Sequence, residues 1–385
     1  MELKPFPGTK GNILWEMKEL ADSNQALDLT LGSSDFSCPG RLSELASYYI
    51  QKGFNNFAPL EGLLNLRKQI SALTKKNYGY YYNPETEINI TPGSIQAISS
   101  VVSSFIKEDD EVILIEPAYI TYSPVVQQVG GRTVYVTLKY PDFHIDWEEI
   151  RKLITGKTRM IILTTPHNPT GRVFTDEDML QLQKLTNGTN IIVLSDELFE
   201  HLVFDNKKHQ SISKYEKLIS RSFIVSSFGP VFNINGWCLA WCIAPEKLMS
   251  VFRETYKGQA FNANTPLQHA LSDYLDSEID FTEITEMYQG KRNYFNRLMV
   301  GSPYKIVPTQ GTYFQLIDFS KISELTDFDY AYNLLLYGKV ATIPLSAFNI
   351  HNQKNNSKQL RICFAKSNET LEKAAEGLIN FAQML

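Results

Sequence analysis

Short apolar runs rich in β-branched residues recur through the middle of the 385-residue chain. They do not alternate with polar residues, as is typical of strands buried on both faces of a sheet. Helical patterns lie between several of the runs, for example at residues 94–107 and 175–185. Strands alternating with helices predict an α/β fold with a mostly parallel, helix-covered sheet. The predicted strands are residues 87–90, 111–115, 133–137, 160–164, 190–195, 222–227 and 238–243.

The C-terminal part of the chain, from residue 303 onward, follows a different pattern. Two predicted strands, at residues 312–317 and 360–365, precede a terminal helix at 370–384. This order is typical of a small α+β domain. The segment 351–358 (HNQKNNSK) is polar and predicts a surface loop.

Composition excludes several classes of protein. The chain is 43% apolar and 21% charged, as in ordinary globular proteins, and its length suits two domains. A net charge of −5 without a long basic run argues against nucleic-acid or anionic-membrane partners. No apolar run is long enough to span a membrane, and residues 1–12 contain no apolar signal core. We therefore expect a cytoplasmic protein.

The four cysteines do not predict a metal site. Cys38, Cys238, Cys242 and Cys363 lack the spacing of zinc ligands, and no histidine cluster accompanies them. Cys238 and Cys242 fall in an apolar, strand-like run. Buried free thiols in a reducing cytosol are the better interpretation.

Polar turns follow three of the predicted strands. Residues 91–94 (TPGS) open a helix, which suits a phosphate; an ordinary glycine turn with Ser94 as the helix N-cap is the alternative. Asp196 ends a very apolar run, where a ligand-binding carboxylate is one interpretation and an ordinary strand end or helix cap is the alternative. In the third turn, residues 166–171 (PHNPTG), His167 alone is best interpreted as a packed or turn residue. Because parallel strands bind ligands at their carboxyl edge, the three turns together favour one shared site.

Ordered motifs along nearly the whole chain resemble the class I/II aminotransferases of fold type I, which use pyridoxal phosphate (PLP). The methionine and kynurenine aminotransferases are the nearest branch. The matching segments are residues 56–59 with Gly62, 91–94, 116–119, 166–171, 196–201, 227–237, 264–266, 311–314, 343–346 and 361–366. The resemblance implies a seven-stranded, mostly parallel sheet and a smaller α+β domain. It divides the chain into an N-terminal arm with part of the small domain at 1–45, a large domain at 46–285 and the small domain at 286–385.

The resemblance also implies a site for the cofactor phosphate. In the turn at Gly93, the backbone N–H groups of Ser94 and Ile95 would hold the phosphate, and Ser227 would lie in the same cofactor site.

Further positions implied by the resemblance face the cofactor ring and the substrate. Tyr119 would stack on the pyridine ring, and Asn168 would hydrogen-bond its hydroxyl oxygen. Asp196 would pair with the ring nitrogen and keep it protonated, which makes the ring an electron sink. Arg361 would bind the substrate carboxylate in a bidentate contact, and Gly32 would bring backbone close to it.

The residue that holds the cofactor covalently in this family is absent. Residues 226–237 (SSFGPVFNINGW) resemble the family segment S-x-x-K-x-x-x-x-x-G-W. Counting from Ser227 and Gly236, the lysine position is Pro230. Proline has no amine and cannot form a Schiff base with PLP. We consider Lys257 as a residue that could take the role of the missing lysine.

Other departures from the family pattern fall on the same ligand. Cys238 stands where a basic residue lies near the phosphate. Phe199 stands where a tyrosine phenol contacts the ring oxygen, and Phe57 where one contacts the partner subunit's phosphate. We therefore expect PLP or pyridoxamine phosphate (PMP) to bind without a covalent bond at best.

Three functions remain open at this point. In the first, the protein is a transaminase-like enzyme that acts on an amino acid and a 2-oxo acid, with slow turnover or an unusual base. Alternatively, it is a lysine-free enzyme that uses pyridoxamine phosphate, or a non-catalytic protein that binds an amino acid or the cofactor. Because the family builds its sites at a dimer interface, the resemblance implies a homodimer.

Overall fold

A computed structural model describes residues 12–277, 279–351 and 357–385 of the chain. Residues 1–11, the beginning of the predicted N-terminal arm, lie outside the described residues. So do residues 352–356, the centre of the predicted loop at 351–358.

Helices and strands alternate from the N-terminus onward. The helices are α1 Ile13–Ser23, α2 Gly40–Gln51, α3 Leu64–Tyr78, α4 Ser94–Phe105, α5 Tyr122–Gln128, α6 Trp147–Leu153, α7 Asp176–Thr186, α8 Glu216–Ile219, α9 Gly229–Phe232, α10 Glu246–Tyr256, α11 Thr265–Leu275, α12 Phe281–Leu298, α13 Asp327–Asn333 and α14 Asn368–Met384. The strands are β1 Leu27–Asp28, β2 Ile88–Thr91, β3 Glu111–Glu116, β4 Arg132–Thr137, β5 Thr158–Thr164, β6 Ile192–Asp196, β7 Ser222–Ser226, β8 Ala240–Ile243, β9 Lys305–Ile306, β10 Phe314–Asp318, β11 Val340–Ala341, β12 Ile343–Pro344 and β13 Gln359–Cys363.

The large sheet has seven strands in the order β2-β8-β7-β6-β5-β3-β4. β8 runs antiparallel to both of its neighbours, and the other pairs are parallel. The predicted mostly parallel sheet is confirmed, with each strand end within two residues of its expected place. Apart from Arg159 and Ile192, all residues of the central strands β5, β6 and β7 are buried, which explains the apolar run that each of them contains.

A smaller antiparallel sheet lies in the C-terminal part, in the order β12-β13-β10-β9. The terminal helix α14 follows it, as predicted. The short strand β1 pairs in parallel with β11, so an N-terminal segment is tied to the C-terminal part of the chain.

The prediction that Cys238 is a buried strand thiol is wrong. All four cysteines are free, but Cys238 is exposed, whereas Cys242 and Cys363 are buried and Cys38 is partly so. Cys238 has a φ of 50° and ends a short turn before β8 begins at Ala240. Cys238 therefore precedes the sheet in a turn with a left-handed residue, which the apolar sequence around it does not reveal.

Candidate functional site

The carboxyl ends of the parallel strands, the start of α4 and the strand β13 border one open cavity of about 270 Å³. Most of the predicted site residues line it, together with side chains that the sequence did not single out. The lining residues are Leu14, Leu31, Gly32, Ser33, Ser94, Ile95, Ile98, Tyr119, Tyr122, Thr164, Asn168, Asp196, Leu198, Phe199, Pro230, Asn235, Tyr313, Phe314 and Arg361.

Asp196, the last residue of β6, is a buried carboxylate at one end of the cavity. Tyr122 donates its hydroxyl hydrogen to Asp196 Oδ2, and the Leu198 backbone N–H donates to Oδ1 at 3.2 Å. Burial raises the pKa of Asp196 to about 6, against these two hydrogen bonds, and the charge of Glu197 adds to the rise. The carboxylate is thus held in a costly ionised state at neutral pH, which is characteristic of ligand sites.

We expect Asp196→Asn to stabilise the ligand-free protein at pH 7.5 by about 2–3 kcal/mol, since its pKa rises by about two units on folding. A carboxyl with a raised pKa binds more protons in the folded state between about pH 4 and pH 6. The free energy of unfolding therefore falls as the pH rises through that interval, and the asparagine variant escapes the loss. Urea unfolding of both proteins at pH 4 and pH 7.5 measures the effect. A difference that does not change between the two pH values would contradict the assignment.

Asn168 and Tyr119 line the same cavity as Asp196 and Arg361. Asn168 is buried in a turn after β5, and its Oδ1 accepts a hydrogen bond from Arg361 Nη1 at 2.9 Å. Tyr119 packs edge-on against Tyr122, with ring centroids 5.8 Å apart. Burial raises the pKa of Tyr119; the charge of Arg361 opposes this rise, and that of Asp196 adds to it. The charges of Arg361 and Asp196 therefore both act on Tyr119, which stays a neutral phenol.

Arg361, on β13, is a buried cation with no acidic partner among the described residues. Its Nη2 donates to the Thr30 carbonyl oxygen at 2.6 Å, while Nε is buried without a hydrogen-bond partner. The guanidinium carbon lies 3.9 Å from the Phe314 ring centroid and 4.8 Å from that of Phe348. Burial lowers the pKa of Arg361 to about 10, so it stays charged at neutral pH. An incompletely bonded buried guanidinium is suited to an anionic ligand.

Gly32 brings main chain to the cavity wall. A Cβ on Gly32 would lie 2.5 Å from the Tyr313 hydroxyl oxygen. The Asn235 side-chain amide fixes this approach, since it donates to the Gly32 carbonyl oxygen at 3.1 Å and to the Tyr313 hydroxyl at 3.2 Å. Only glycine fits this position without displacing Tyr313.

The predicted phosphate turn opens α4. Gly93, with a φ of 97°, is the N-cap residue, and Ser94 is the first helical residue. The alternative with Ser94 as the N-cap is therefore wrong. The N–H groups of Ser94 and Ile95 have no acceptor within the helix and are available to an anion. A Cβ on Gly93 would lie 3.8 Å from the Cys238 Cβ, so Cys238 borders this turn.

Pro230 lies in the first turn of α9, where a backbone N–H has no partner within the helix. It is buried, lines the cavity, and its carbonyl oxygen accepts a hydrogen bond from Tyr288 at 3.2 Å. The proline therefore fits the turn without strain. No lysine lines the cavity in the described part of the chain. Lys257 ends α10, pairs with Glu254 at 2.6 Å and is not a lining residue.

The two phenylalanines at expected phenol positions differ in location. Phe199 lines the cavity and packs edge-on against Tyr313, with centroids 5.0 Å apart. Phe57 is 75% exposed and packs against Phe261, which is 73% exposed, at 4.6 Å. Phe57 is not among the residues that line the cavity of its own chain.

Two predicted site residues, Ser227 and Gly93, are not among the lining residues. The Ser227 hydroxyl donates to the Leu239 carbonyl oxygen at 2.8 Å and accepts from the Gly229 N–H at 2.9 Å. Its role toward a ligand stays a prediction. His167 is buried in its turn beside Thr170, as predicted, and burial lowers its pKa to about 3.

Sequence reasoning missed Tyr122, which supports Asp196, and Asn235, which holds Gly32. Tyr122 begins α5, whereas Tyr119 lies before that helix, so no helical spacing in the sequence linked the two residues. No local signal in the sequence indicated Asn235.

The fit of a pyridoxyl phosphate to this cavity is uneven. At the ring end, Asp196 supplies a buried carboxylate for a ring N–H, and the start of α4 supplies free backbone donors. At the attachment point, Pro230 offers no amine, and no basic side chain borders the turn at Gly93 among the lining residues. The residues fit the ring but neither its covalent attachment nor a charged partner for its phosphate.

Within the described residues, no group of three histidine, cysteine or acidic side chains is arranged to hold a metal ion. None of the helices in that part of the chain is long and apolar enough to cross a membrane.

Known proteins match both the sequence and the structure. The model of the family described as "Aminotransferase class I and II" matches residues 26–378. A methionine aminotransferase of Escherichia coli is 35% identical over 374 residues, 97% of this chain and 96% of that protein. A kynurenine–oxoglutarate transaminase of Dictyostelium discoideum is 31% identical and covers 96% of this chain and 94% of its own. A crystal structure of an E. coli protein with a methionine aminotransferase function has a TM-score of 0.94 at 34% identity, and covers 98% of this chain and 100% of that chain. These matches confirm the predicted fold and the predicted resemblance.

Proposed function

The chain belongs to the class I and II aminotransferases, and from this premise we propose that it binds an amino acid or a 2-oxo acid without ordinary transaminase turnover. The relatives named above are methionine and kynurenine aminotransferases, which act on ligands of this class. Retention of the carboxylate site and loss of the lysine together favour a binding protein over a fast enzyme.

The observation that carries the proposal is the state of Arg361. Its guanidinium is buried beside Phe314, has no acidic partner, and leaves Nε without an acceptor. Burying such a charge without a partner is costly, so its retention favours a ligand that supplies the missing acceptor. The α-carboxylate of an amino acid or a 2-oxo acid presents two oxygens in the geometry that guanidinium binds best.

We further propose that PLP or PMP binds this protein only without a covalent bond, and weakly. Pro230 has no amine, and no lysine is among the described residues that line the cavity. Two replacements weaken cofactor binding. Cys238 replaces the basic residue near the charged phosphate, and Phe199 replaces the phenol that contacts the ring oxygen. Each such hydrogen bond contributes about 1.5–3 kcal/mol when one partner is charged.

Borohydride reduction of the protein soaked in PLP, followed by peptide mass analysis, tests the absence of a covalent bond. We expect no pyridoxyl group at a specific lysine, and at most scattered, substoichiometric labelling of exposed lysines such as Lys257. Lys257→Ala is the matched control, since it removes the lysine that we considered at the outset. A stoichiometric adduct on one lysine, abolished by its substitution, would refute the proposal.

A lysine-free enzyme that uses bound PMP is the second candidate. The buried Asp196 carboxylate, which Tyr122 supports by a hydrogen bond, favours it, because the resemblance implies that Asp196 pairs with the pyridine ring nitrogen. Single-turnover mixing of the PMP-loaded protein with 2-oxo acids distinguishes it from a binding protein.

Oligomeric state, location and domain limits remain proposals. We propose a homodimer, which is supported by the strongly exposed aromatic pair of Phe57 and Phe261. The cytoplasmic location and the domain limits at residues 45 and 285 stay predictions.

A further inference from the structure

The cavity contains one cation and one acid among its described lining residues, Arg361 and Asp196. They form no ion pair with each other, since no nitrogen–oxygen contact within 4.0 Å joins them. Arg361 instead donates to Asn168 and Thr30, and Asp196 accepts from Tyr122 and Leu198. A ligand that satisfies both groups carries an anionic group for Arg361 and a hydrogen-bond donor for Asp196.

Aromatic side chains line the same cavity as these two groups. Tyr119, Phe199, Tyr313 and Phe314 all border the cavity, and Phe314 also stacks on the Arg361 guanidinium. Flat aromatic groups pack well against such walls, edge-on or offset-stacked. The middle of the ligand is therefore expected to be an aromatic ring.

The part of the cavity at the start of α4 offers a dianion free backbone N–H groups but no basic side chain. Its lining side chains are Ser94, Ile95 and Ile98, and the neighbouring Cys238 carries no charge that could pair with a phosphate. The N-terminal turn of α4 supplies only backbone donors there. A ligand without a phosphate group consequently loses no charged contact at this end.

We propose that an aromatic 2-amino or 2-oxo acid whose ring carries an N–H or O–H donor occupies this cavity directly, in the place of a pyridoxyl group. Its carboxylate binds Arg361, its ring packs against Tyr119, and the ring donor reaches Asp196. The proposal rests on carboxylate binding at Arg361 and names the ligand class and the second anchor. The cavity of about 270 Å³ is close to the lower end of the range typical for small-ligand sites.

The ring donor sets the specificity. A buried carboxylate that hydrogen-bonds a ligand N–H discriminates strongly against the analogue that lacks it, because the acceptor is then left unpaired. The expected discrimination is about 10- to 100-fold in dissociation constant, as for one hydrogen bond to a charged group.

Isothermal titration calorimetry of the full chain without added PLP tests this inference. The probes are L-tryptophan and indole-3-pyruvate, with 1-methyl-L-tryptophan and L-phenylalanine as matched ligands that lack the ring donor. We expect tryptophan or indole-3-pyruvate to bind at least tenfold more tightly than the ligands without a donor. Comparison of the first two probes shows whether the amino or the oxo acid is preferred.

Variants locate the second anchor. Asp196→Ala is expected to bind tryptophan and its 1-methyl form equally, and Asp196→Asn, which keeps an acceptor of the same shape, to retain part of the preference. Lys257→Ala, whose side chain lies outside the cavity, serves as the control and keeps the wild-type preference. Millimolar PLP is expected to weaken tryptophan binding by competition for the same space.

The outcomes separate this inference from the proposed function. If all four ligands bind the wild type equally and are lost in Arg361→Ala, the carboxylate site stands and the aromatic-donor inference is overturned. If PLP strengthens tryptophan binding, the ligand does not occupy the cofactor's place and the inference is likewise overturned. If no acid binds at all, the proposed function fails together with it.

Discussion

Pro230→Lys alone is expected to give a protein that folds like the wild type but loses added PLP on dialysis. Position 230 lies in the first turn of α9, where the new backbone N–H needs no partner within the helix. Removing the proline costs only about 0.4–1 kcal/mol through the greater freedom of the unfolded chain. The fold therefore tolerates the lysine, and the cofactor site remains incomplete for other reasons.

The first reason is that Cys238 provides no basic side chain beside the turn at Gly93. The second is that Phe199 provides no phenol on the cavity wall. A lysine beside a poorly anchored ring has a low effective concentration toward it, and a misplacement of about 1 Å can cost about 10²-fold in rate. Adding Cys238→Lys supplies a charge beside the turn at Gly93. Adding Phe199→Tyr supplies a phenol on the cavity wall.

Retained PLP and the rate of the half-reaction with methionine measure this series. We expect the triple variant to retain PLP and to react at least about 10²-fold faster than Pro230→Lys. The double variant Cys238→Lys/Phe199→Tyr, which keeps Pro230, is the control for improved binding without the amine. If Pro230→Lys alone already turned over like an ordinary transaminase, Cys238 and Phe199 would be incidental differences.

Arg361→Ala is expected to abolish most of the affinity for amino acids and 2-oxo acids. The guanidinium provides a buried charge and a free Nε for the carboxylate, and both are lost. A loss of about 10²-fold or more corresponds to one or two hydrogen bonds with charged partners. Arg361→Lys keeps a charge but not the planar fork, and should bind with intermediate affinity.

Calorimetry with methionine, phenylalanine and their 2-oxo acids measures this loss. Thermal unfolding of each variant is the control, because the substitution also leaves Asn168 Oδ1 and the Thr30 carbonyl oxygen without their donor. Equal affinity in wild type and a folded Arg361→Ala protein would refute the role of Arg361.

The sequence predicted the large sheet because each central strand contains an apolar run that does not alternate with polar residues. It also predicted that Asp196 and Asn168 converge, since both follow parallel strands whose carboxyl ends share an edge. That prediction needed no side-chain geometry.

Contacts between distant segments were beyond the sequence. Tyr122 reaches Asp196 across 74 residues, and Asn235 reaches Gly32 across 203. Cys238 was misplaced for a different reason: its apolar neighbours predict a strand, whereas its own backbone is left-handed. Local pattern carries neither long-range pairing nor a single residue's positive φ.

The measurement that tests the account most directly is the absorption spectrum of the wild-type protein, incubated with excess PLP and then passed through a desalting column. We expect no protein-bound pyridoxyl absorption to remain, because Pro230 cannot hold the cofactor covalently and Cys238 and Phe199 do not anchor it. A stoichiometric visible absorption band that persists through desalting and shifts when an amino acid is added would contradict it.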